Sequence, residues 1–396
     1  MRRAWRGLFW QFGSHRFSGS RKLKRNQRSR DNHSSDQAIP LFDKALQLDR
    51  KSPLPYTGLT EAYVIKYRNT RDPQWLDRAR EALAQAESRN PDSAMVHFEA
   101  GGLSREAGWY DKAIDSYKRA ILLQPSNGQF WHHLGVTYES MHGRQADAVQ
   151  AFQKAAELQP GYFAPYLDLG IFYFQQGNYS EAEAQFRRVV ELAPESEAGN
   201  SDLCAIFVVT ARYVDAESAC GRAMELYPSA RAYNNLGASL AFQGKDNDAL
   251  VQYRRAIALE PQTYESYQNA GDASRRLNRL AEAASAYRTG KDLADSALQQ
   301  NPSNGYPRSF VGYFAARLGE RKNAKSDIVQ ALRLSPDDTR VLGMAVLAYE
   351  ALHKRTESLA LLHAAPPMLL RQFNRHPDLK GLRQDPRFQQ LIADAK

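Results

Sequence analysis

The chain has 396 residues, of which 43% are hydrophobic and 24% are charged, and its formal net charge is +9. A globular chain of this length would form two or three domains. No continuous apolar run reaches the roughly 18 residues that indicate a transmembrane helix, and the basic N-terminus lacks the apolar stretch of a secretory signal. Composition therefore disfavours both a membrane-spanning and a secreted protein.

The first 35 residues form a basic tail. They contain ten lysines or arginines and one acidic residue, so they carry a net charge equal to that of the whole chain. The charge run Arg21–Arg30 cannot bury enough apolar surface to order itself, which predicts a disordered tail or one not native to the rest. Contact with an anionic nucleic acid or membrane, and a transit peptide, remain open. Because residues 36–396 are neutral overall, nucleic-acid binding outside the tail is disfavoured.

The first predicted helix covers residues 36–50, with Ala38, Phe42 and Ala45 on one face. It has the pattern of the second helix of a hairpin, although no matching first helix can be found in the tail. Residues 53–93 predict a complete helical hairpin. Compared with the later repeats it has about seven extra residues, which we place in the loop around Arg71–Trp75.

From residue 94 onward a similar pattern returns with a period of about 34 residues. Gly108, Gly177 and Gly244 are predicted to end first helices, because glycine tolerates left-handed backbone geometry. Prolines are predicted to end second helices. The predicted hairpins cover 94–127, 128–162, 163–196, 197–229 and 230–263, and the prolines are Pro125, Pro160, Pro194, Pro228, Pro261 and Pro336.

Three further elements follow residue 263. A hairpin from Tyr264 has a second helix that extends to about Gln300, since no proline occurs before Pro302. Another hairpin covers 305–338, and a weaker one begins at Thr339. In total we predict about eight hairpins in an array over 36–365, followed by a helical cap over 366–396, since terminal repeats diverge to act as caps.

Small and aromatic residues alternate within each period. Gly101 and Ala113 let two helices approach closely, and Gly170 and Ala182 do the same two repeats later. Aromatic rings such as Tyr117 are predicted to fill the space between neighbouring hairpins. This spacing resembles the tetratricopeptide repeat. The resemblance implies an all-α, right-handed α-solenoid whose first helices line a concave groove that binds other polypeptides.

The C-terminus carries a second resemblance. The strings HPDL at 376–379 and DPRF at 385–388 are similar to the ends of tetratricopeptide regions in bacterial Ser/Thr kinases and winged-helix regulators. In those proteins the catalytic or DNA-binding domain lies upstream, and it is absent here. A kinase catalytic loop needs Asn five residues after its Asp, where this chain has Arg383, so HPDL predicts a turn between short helices instead.

The sequence indicates no catalytic chemistry, so we expect no enzyme activity, no cofactor and no small-molecule substrate. His132 and His133 are adjacent and point to different helix faces, so they cannot form a metal-binding pair at i, i+4. Cys204 and Cys220 fall in one repeat and are predicted to be buried small apolar residues, with a disulfide as the alternative. So few cysteines are typical of a reducing compartment, which favours a cytoplasmic location.

Polar residues dominate the inward-facing positions of the first helices. The candidate peptide-binding residues are His133, Asp168, Asp202, Asn235 and Asn269. The two asparagines resemble the asparagine ladder in the repeat domain of O-linked N-acetylglucosamine transferase, whose amides hold the backbone of an extended peptide. The alternative is that groove positions are polar simply because they are wet. The neighbouring inward positions contain no lysine, which disfavours the carboxylate clamp of chaperone-binding arrays.

These patterns together predict a non-catalytic scaffold or adaptor that binds a protein or peptide partner in the concave groove. Nucleic acid or membrane would be contacted only through the tail 1–35. The alternative is a regulatory or sensor region of a bacterial signalling kinase or transcription regulator.

Overall fold

A computed structural model describes the backbone of residues 21–141, 143–336 and 338–395, with side chains from Ser35 onward. All regular secondary structure in these residues is helical, which confirms the predicted all-α fold. Among the helices in these ranges, none combines the length and the apolar character that crossing a membrane requires.

The helices follow one another through short connections. In chain order they are α1 (Arg21–Leu48), α2 (Leu54–Thr70), α3 (Gln74–Arg89), α4 (Ala94–Glu106), α5 (Tyr110–Leu123), α6 (Gly128–Glu139), α7 (Gln145–Leu158), α8 (Ala164–Gln175), α9 (Tyr179–Leu192), α10 (Glu197–Val209), α11 (Tyr213–Leu226), α12 (Ala230–Phe242), α13 (Asp246–Leu259), α14 (Tyr264–Arg276), α15 (Leu280–Gln300), α16 (Gly305–Arg317), α17 (Arg321–Leu334), α18 (Thr339–Ala351), α19 (Arg355–Leu362), α20 (Pro367–Phe373), α21 (Lys380–Arg383) and α22 (Pro386–Asp394). A 3-10 turn covers Pro377–Leu379.

Consecutive helices pair as hairpins, beginning with α2 and α3 and ending with α18 and α19. The described residues contain nine such pairs, against about eight predicted, because the weaker pair from Thr339 is complete. The long second helix predicted to reach Gln300 is present as α15, which ends at that residue.

Left-handed residues end many of the first helices, as predicted. Gly108, Gly177 and Gly244 have φ values of 81°, 77° and 79°. Arg71 and Ala211 take the same role with φ values of 60° and 62°. The turn geometry is therefore retained even where the sequence offers no glycine, although a residue with a Cβ adopts it at some energetic cost.

Five of the nine hairpins in the described residues have a glycine packed beneath an aromatic ring. A Cβ on Gly101 would lie 2.6 Å from Cε1 of Tyr117, and one on Gly170 would lie 2.5 Å from Cε1 of Phe186. The sequence analysis placed these rings between neighbouring hairpins, whereas each ring lies directly against the glycine of its own hairpin. The other pairs of this kind are Gly135 with Phe152, Gly237 with Tyr253, and Gly271 with Tyr287.

The long loop predicted around Arg71–Trp75 is wrong. α2 ends at Thr70 and α3 begins at Gln74, so the connection is residues 71–73. The extra residues lengthen both helices, since α2 has 17 residues where α4 has 13, and α3 has 16 where α5 has 14. A longer helix satisfies the backbone N–H and C=O groups internally, which a longer loop would leave to water.

The orphan helix predicted over 36–50 is present but longer. α1 begins at Arg21 and ends at Leu48, so the boundary predicted after residue 35 falls inside a helix. Residues 1–20 lie outside the described residues, and the disorder predicted for the tail 1–35 stays a prediction.

The chain divides into two compact units, a first unit that ends at Gly199 and a second unit that begins at Asn200. The largest buried cluster of the second unit extends from Ala283 to Phe388. It includes Leu379 and Leu382, which are 2% and 0% exposed. The cap predicted over 366–396 therefore shares one core with the hairpins that precede it.

Candidate functional site

The first helices carry the five polar residues selected from the sequence. His133 on α6 and Asp168 on α8 belong to the first unit, while Asp202 on α10, Asn235 on α12 and Asn269 on α14 belong to the second unit. Each of the five lies on the first helix of a different hairpin. Their partners within the chain differ, and these partners decide how much of each side chain is available to a ligand.

Asp168 is engaged by a buried histidine. His132 is 2% exposed, and its Nε2 lies 2.7 Å from Oδ2 of Asp168. The hydroxyl of Tyr162 lies 3.0 Å from Nδ1 of the same ring. Burial, and then the charge of Asp168, raise the pKa of Tyr162 above its usual value. This network ties α6 to α8, and the sequence analysis missed it because it assigned His132 no partner one period away.

His133 lies against a cation and an aromatic ring of the preceding hairpin. Its Nδ1 is 3.4 Å from Nη1 of Arg105, and its ring centroid is 4.8 Å from that of Phe98. Arg105 in turn donates to Glu106. His133 thus belongs to a polar network on the inner side of α4 and α6.

In the second unit, Asp202 and Asn235 both bond to neighbouring parts of the chain. Asp202 is 5% exposed and forms an ion pair with Arg231. Asn235 donates from Nδ2 to the carbonyl oxygen of Ser201, 3.2 Å away in the preceding hairpin. Asn269 is half-buried and makes no side-chain hydrogen bond within the described residues. The two asparagines of the predicted ladder therefore differ, since one is partly used by the chain and the other is available.

Two glutamates of the first unit face each other between adjacent first helices. Arg68 on α2 donates to Glu106 on α4 across 3.0 Å, at a separation of 38 residues. Glu61 and Glu99 lie two helical turns earlier on the same two helices, with the same separation. Neither carboxyl accepts a hydrogen bond within the described residues, although Glu99 is only 5% exposed. The sequence analysis selected neither Glu61 nor Glu99.

The HPDL string is held by three arginines of the second unit. Oδ1 of Asp378 lies 2.6 Å from Nη2 of Arg275, and both of its carboxylate oxygens lie 3.1 Å from Nη1 of Arg276. Nη2 of Arg317 is 3.8 Å away. The Asp378 side chain is 1% exposed. The predicted turn at this string is confirmed, and its aspartate anchors the C-terminal segment to α14 and α16.

A second buried carboxylate supports the same arginines. Oδ1 of Asp272 accepts hydrogen bonds from the hydroxyls of Tyr287, at 2.7 Å, and Tyr313, at 2.5 Å. The Tyr313 hydroxyl in turn accepts from Nε of Arg317 at 2.8 Å. Burial, and then the charge of Asp272, raise the pKa of Tyr287 above its usual value. The Asp272 carboxylate, the two tyrosine hydroxyls and Nε of Arg317 are paired in this way, which is typical of a structural network, whereas Nε of Arg275 has no hydrogen-bond partner among the described residues.

Cys204 and Cys220 form a disulfide between α10 and α11. Both residues are 0% exposed, so the predicted burial is confirmed. The prediction that they are free, small apolar residues is wrong, and the alternative holds. The two residues are 16 apart and face each other across one hairpin. The two helices pack closely enough that side chains on their contacting faces come within bonding distance.

Comparison with known families identifies the repeats. Models of the tetratricopeptide repeat match residues 141–205, residues 76–129 and 104–163, and residues 229–259. These ranges cover hairpins of both units.

Two curated relatives and one solved structure give the extent of the similarity. The chain is 35% identical over 97 residues to protein O-mannosyl-transferase TMTC1 of Homo sapiens, which covers 24% of the chain and 10% of that protein. It is 34% identical over 80 residues to small glutamine-rich tetratricopeptide repeat-containing protein 2 of Mycosarcoma maydis, which covers 20% of the chain and 22% of that protein. A tetratricopeptide repeat protein from Parabacteroides merdae aligns with a TM-score of 0.44 and 18% identity, over 59% of this chain and 93% of that one.

Proposed function

Because the chain is a tetratricopeptide repeat protein, and therefore a repeat scaffold for protein interaction, we propose that it binds extended polypeptide segments along its first helices. The proposed role is that of a non-catalytic scaffold or adaptor. The candidate contacts are the five first-helix residues His133, Asp168, Asp202, Asn235 and Asn269.

The main observation behind this proposal is that the amide of Asn269 is available for hydrogen bonding. Its amide lies on a first helix, is half-buried, and makes no hydrogen bond with the described residues. One amide offers both a donor and an acceptor, which matches the two groups of a peptide backbone unit. Asn235 uses a donor on Ser201 and keeps its Oδ1 for a ligand. The other three candidates are engaged within the chain and would contribute charge and shape.

A second function is favoured by the strings HPDL and DPRF. The alternative is that the array is the regulatory or sensor region of a bacterial signalling Ser/Thr kinase or transcription regulator. The curated relatives extend far beyond the matched region, since the chain spans about a tenth of the length of the first. Reading the genomic DNA upstream of Met1 for a kinase or winged-helix domain distinguishes the two functions.

The compartment is part of the proposal. Composition led us to expect the cytoplasm, where glutathione and thioredoxin keep thiols reduced. The buried disulfide between Cys204 and Cys220 argues for an oxidising compartment instead. Trapping free thiols in intact cells with a membrane-permeant alkylating reagent tests this point, because two alkylated cysteines would place the protein in a reducing environment.

The test of peptide binding uses the full chain as bait in an extract of the source cells, followed by affinity measurements with the isolated partner. We expect Asn235→Ala with Asn269→Ala to weaken binding by about 1–3 kcal/mol for each backbone unit left unpaired. The melting temperature should stay close to that of the wild type.

A matched control distinguishes the loss of the two ladder asparagines from the loss of any two asparagines. Asn247 on α13 and Asn323 on α17 are exposed residues of second helices. Replacing both by alanine should leave the affinity unchanged. Equal affinities for the wild type and the Asn235→Ala, Asn269→Ala variant would rule out the ladder as the binding site.

A further inference from the structure

We propose that the first unit recognises a lysine side chain of its polypeptide partner, with the lysine ammonium group held between Glu61 of α2 and Glu99 of α4. This inference deepens the proposed function and rests on it. The lysine site lies in the first unit, whereas Asn235 and Asn269 lie in the second unit.

The position of the two glutamates follows from the pair Arg68 and Glu106. These two side chains are in contact at 3.0 Å, which fixes the register of α2 against α4. Two helical turns earlier, the same register brings Glu61 opposite Glu99. An ion pair thus lies at one position along this helix interface, and two carboxyl groups lie two helical turns away.

The local charges do not balance. Glu61, Glu99 and Glu106 provide three carboxyls, while Arg68 and Arg105 provide two guanidinium groups. Both guanidinium groups bond to Glu106, at 3.0 and 3.1 Å. Neither Glu61 nor Glu99 accepts a hydrogen bond within the described residues. One further cation would satisfy both carboxylates, since buried carboxylates are normally paired.

The hydroxyl of Tyr117 is a second observation that points to a ligand. Tyr117 on α5 is 0% exposed, and its hydroxyl has no hydrogen-bond partner in the part of the chain that the structure describes. The hydroxyl lies one helical turn beyond Glu99, where a Cβ on Gly102 would be 3.7 Å away. A buried hydroxyl without a partner is unfavourable, so a ligand that bonds to it gains binding energy.

The raised pKa values of Glu61 and Glu99 are consistent with a site that binds a cation. Burial raises the pKa of Glu61 to about 7, with Arg68 opposing the rise. Burial, and then the charge of Glu61, raise the pKa of Glu99 well above its usual value. In the absence of a cation the pair therefore retains protons near neutral pH. A bound ammonium group favours the ionised carboxylates, so binding must release protons.

Four helices contribute other charged and titratable groups near Glu61 and Glu99. α2 contributes Arg68, α4 contributes Arg105 and Glu106, α5 contributes Tyr110 and Tyr117, and α6 contributes His133. The two guanidinium groups lower carboxylate pKa values but are held by Glu106. The glutamates thus remain the groups that titrate with the ligand.

An ammonium group suits the site better than a guanidinium group. Lysine has three donors on one compact atom and no acceptor. Glu61, Glu99 and Tyr117 provide three acceptor groups, one for each donor of the ammonium group. A planar guanidinium group is larger and pairs side-on with one carboxylate through two parallel hydrogen bonds, so it suits a site between two carboxylates less well.

The test measures binding of blocked nonapeptides to the full chain by isothermal titration calorimetry. The probe alternates alanine and lysine, and two further peptides carry glutamine or arginine in place of lysine. We expect the lysine peptide to bind at least about tenfold more tightly than the glutamine peptide. Titrations in two buffers of different ionisation enthalpy should show proton release. Affinity should fall between pH 8 and pH 6, as Glu61, with its pKa of about 7, takes up a proton.

The decisive variant is Glu61→Gln with Glu99→Gln, which should lose at least about tenfold in affinity for the lysine peptide and abolish the proton release. The control is Glu157→Gln with Glu191→Gln, which removes the same charge from exposed positions of second helices and should bind as the wild type does. Melting curves establish that each variant is folded.

Several outcomes would overturn the inference. Among them are equal affinity of the decisive variant and the wild type, binding of the lysine peptide without proton release, and equal affinity for the lysine and glutamine peptides. The last outcome would leave peptide binding itself intact, because a neutral peptide would still bind. Tighter binding of the arginine peptide would reject the ammonium group as the selected cation. Binding of none of the peptides would reject the lysine site, while the ladder is tested separately through Asn235 and Asn269.

Discussion

The ring of Tyr117 on α5 lies directly against Gly101 on α4, so that a Cβ added to the glycine would be 2.6 Å from Cε1 of the ring. Real Cβ atoms do not approach a ring so closely, so Gly101→Ala forces the two helices apart. We expect a loss of about 1–3 kcal/mol in the free energy of unfolding, measured by urea denaturation.

A helical glycine without this contact is the control for that prediction. Gly221 on α11 would place a Cβ with no atom within 4 Å. Gly221→Ala should therefore raise stability by about 0.5–1 kcal/mol, as alanine does in an unobstructed helix. A loss of stability in both variants would mean that the ring contact is not the cause.

Two fully buried alanines test the close approach of helices in each unit. Ala182 on α9 and Ala249 on α13 are both 0% exposed. Ala182→Leu and Ala249→Leu should each cost roughly 1–3 kcal/mol, because the added atoms have no space. Thermal melting followed by circular dichroism provides the measurement, and unchanged melting of both variants would contradict the repeat register.

Asp378 should make the stability of the second unit depend on pH. Burial would raise the pKa of this carboxyl, but Arg276, His376, Arg275 and Arg317 together hold it below its usual value of 3.8. A pKa that is lower in the folded state stabilises the fold above the unfolded pKa, and this stability is lost as pH falls through the folded pKa. Asp378→Asn removes the anion, so Arg275 loses its ion pair with Asp378 and Arg276 keeps only Asp246.

At neutral pH we expect Asp378→Asn to lose about 3–5 kcal/mol in the free energy of unfolding. The difference from the wild type should shrink as the wild-type carboxyl becomes protonated in acid. Asp77→Asn is the control, since Asp77 pairs with Arg80 on an exposed surface and should change stability by less than about 1 kcal/mol. A difference that stays constant from neutral to strongly acidic pH would show that the charge of Asp378 is not responsible.

The disulfide should contribute measurably to the stability of the second unit. It closes a loop between residues 16 apart, for which chain-entropy arguments give about 3 kcal/mol. Cys204→Ala with Cys220→Ala should reduce the free energy of unfolding by about that amount. Thiol titration of the unfolded wild-type protein without reductant should find no free thiol. Two free thiols per chain would mean that the cysteines are not bonded in the purified protein.

The sequence by itself determined the repeat architecture. Three features were sufficient to place most helix boundaries. They are the period of about 34 residues, the glycines Gly108, Gly177 and Gly244 at helix ends, and the absence of proline between Pro261 and Pro302. These features succeed because the contacts within a repeat array are local, so a residue's spacing within the period determines which neighbours it meets. The loop at residues 71–73 was misplaced because the number of extra residues in a repeat does not tell whether they lengthen the loop or the helices.

Only the tertiary structure decided which polar residues meet. Arg276 and Asp378 are 102 residues apart, and Asp378 lies in the short C-terminal helices that do not follow the hairpin pattern, so their contact could not be read from the sequence. Glu61 and Glu99 meet because the lengthened helix α2 changes the register between two repeats, which the regular period does not encode. Cys204 and Cys220 could equally have been two buried thiols. Spacing predicts that a side chain faces inward, but its partner depends on the exact approach of another helix, and that approach is set by packing throughout the unit.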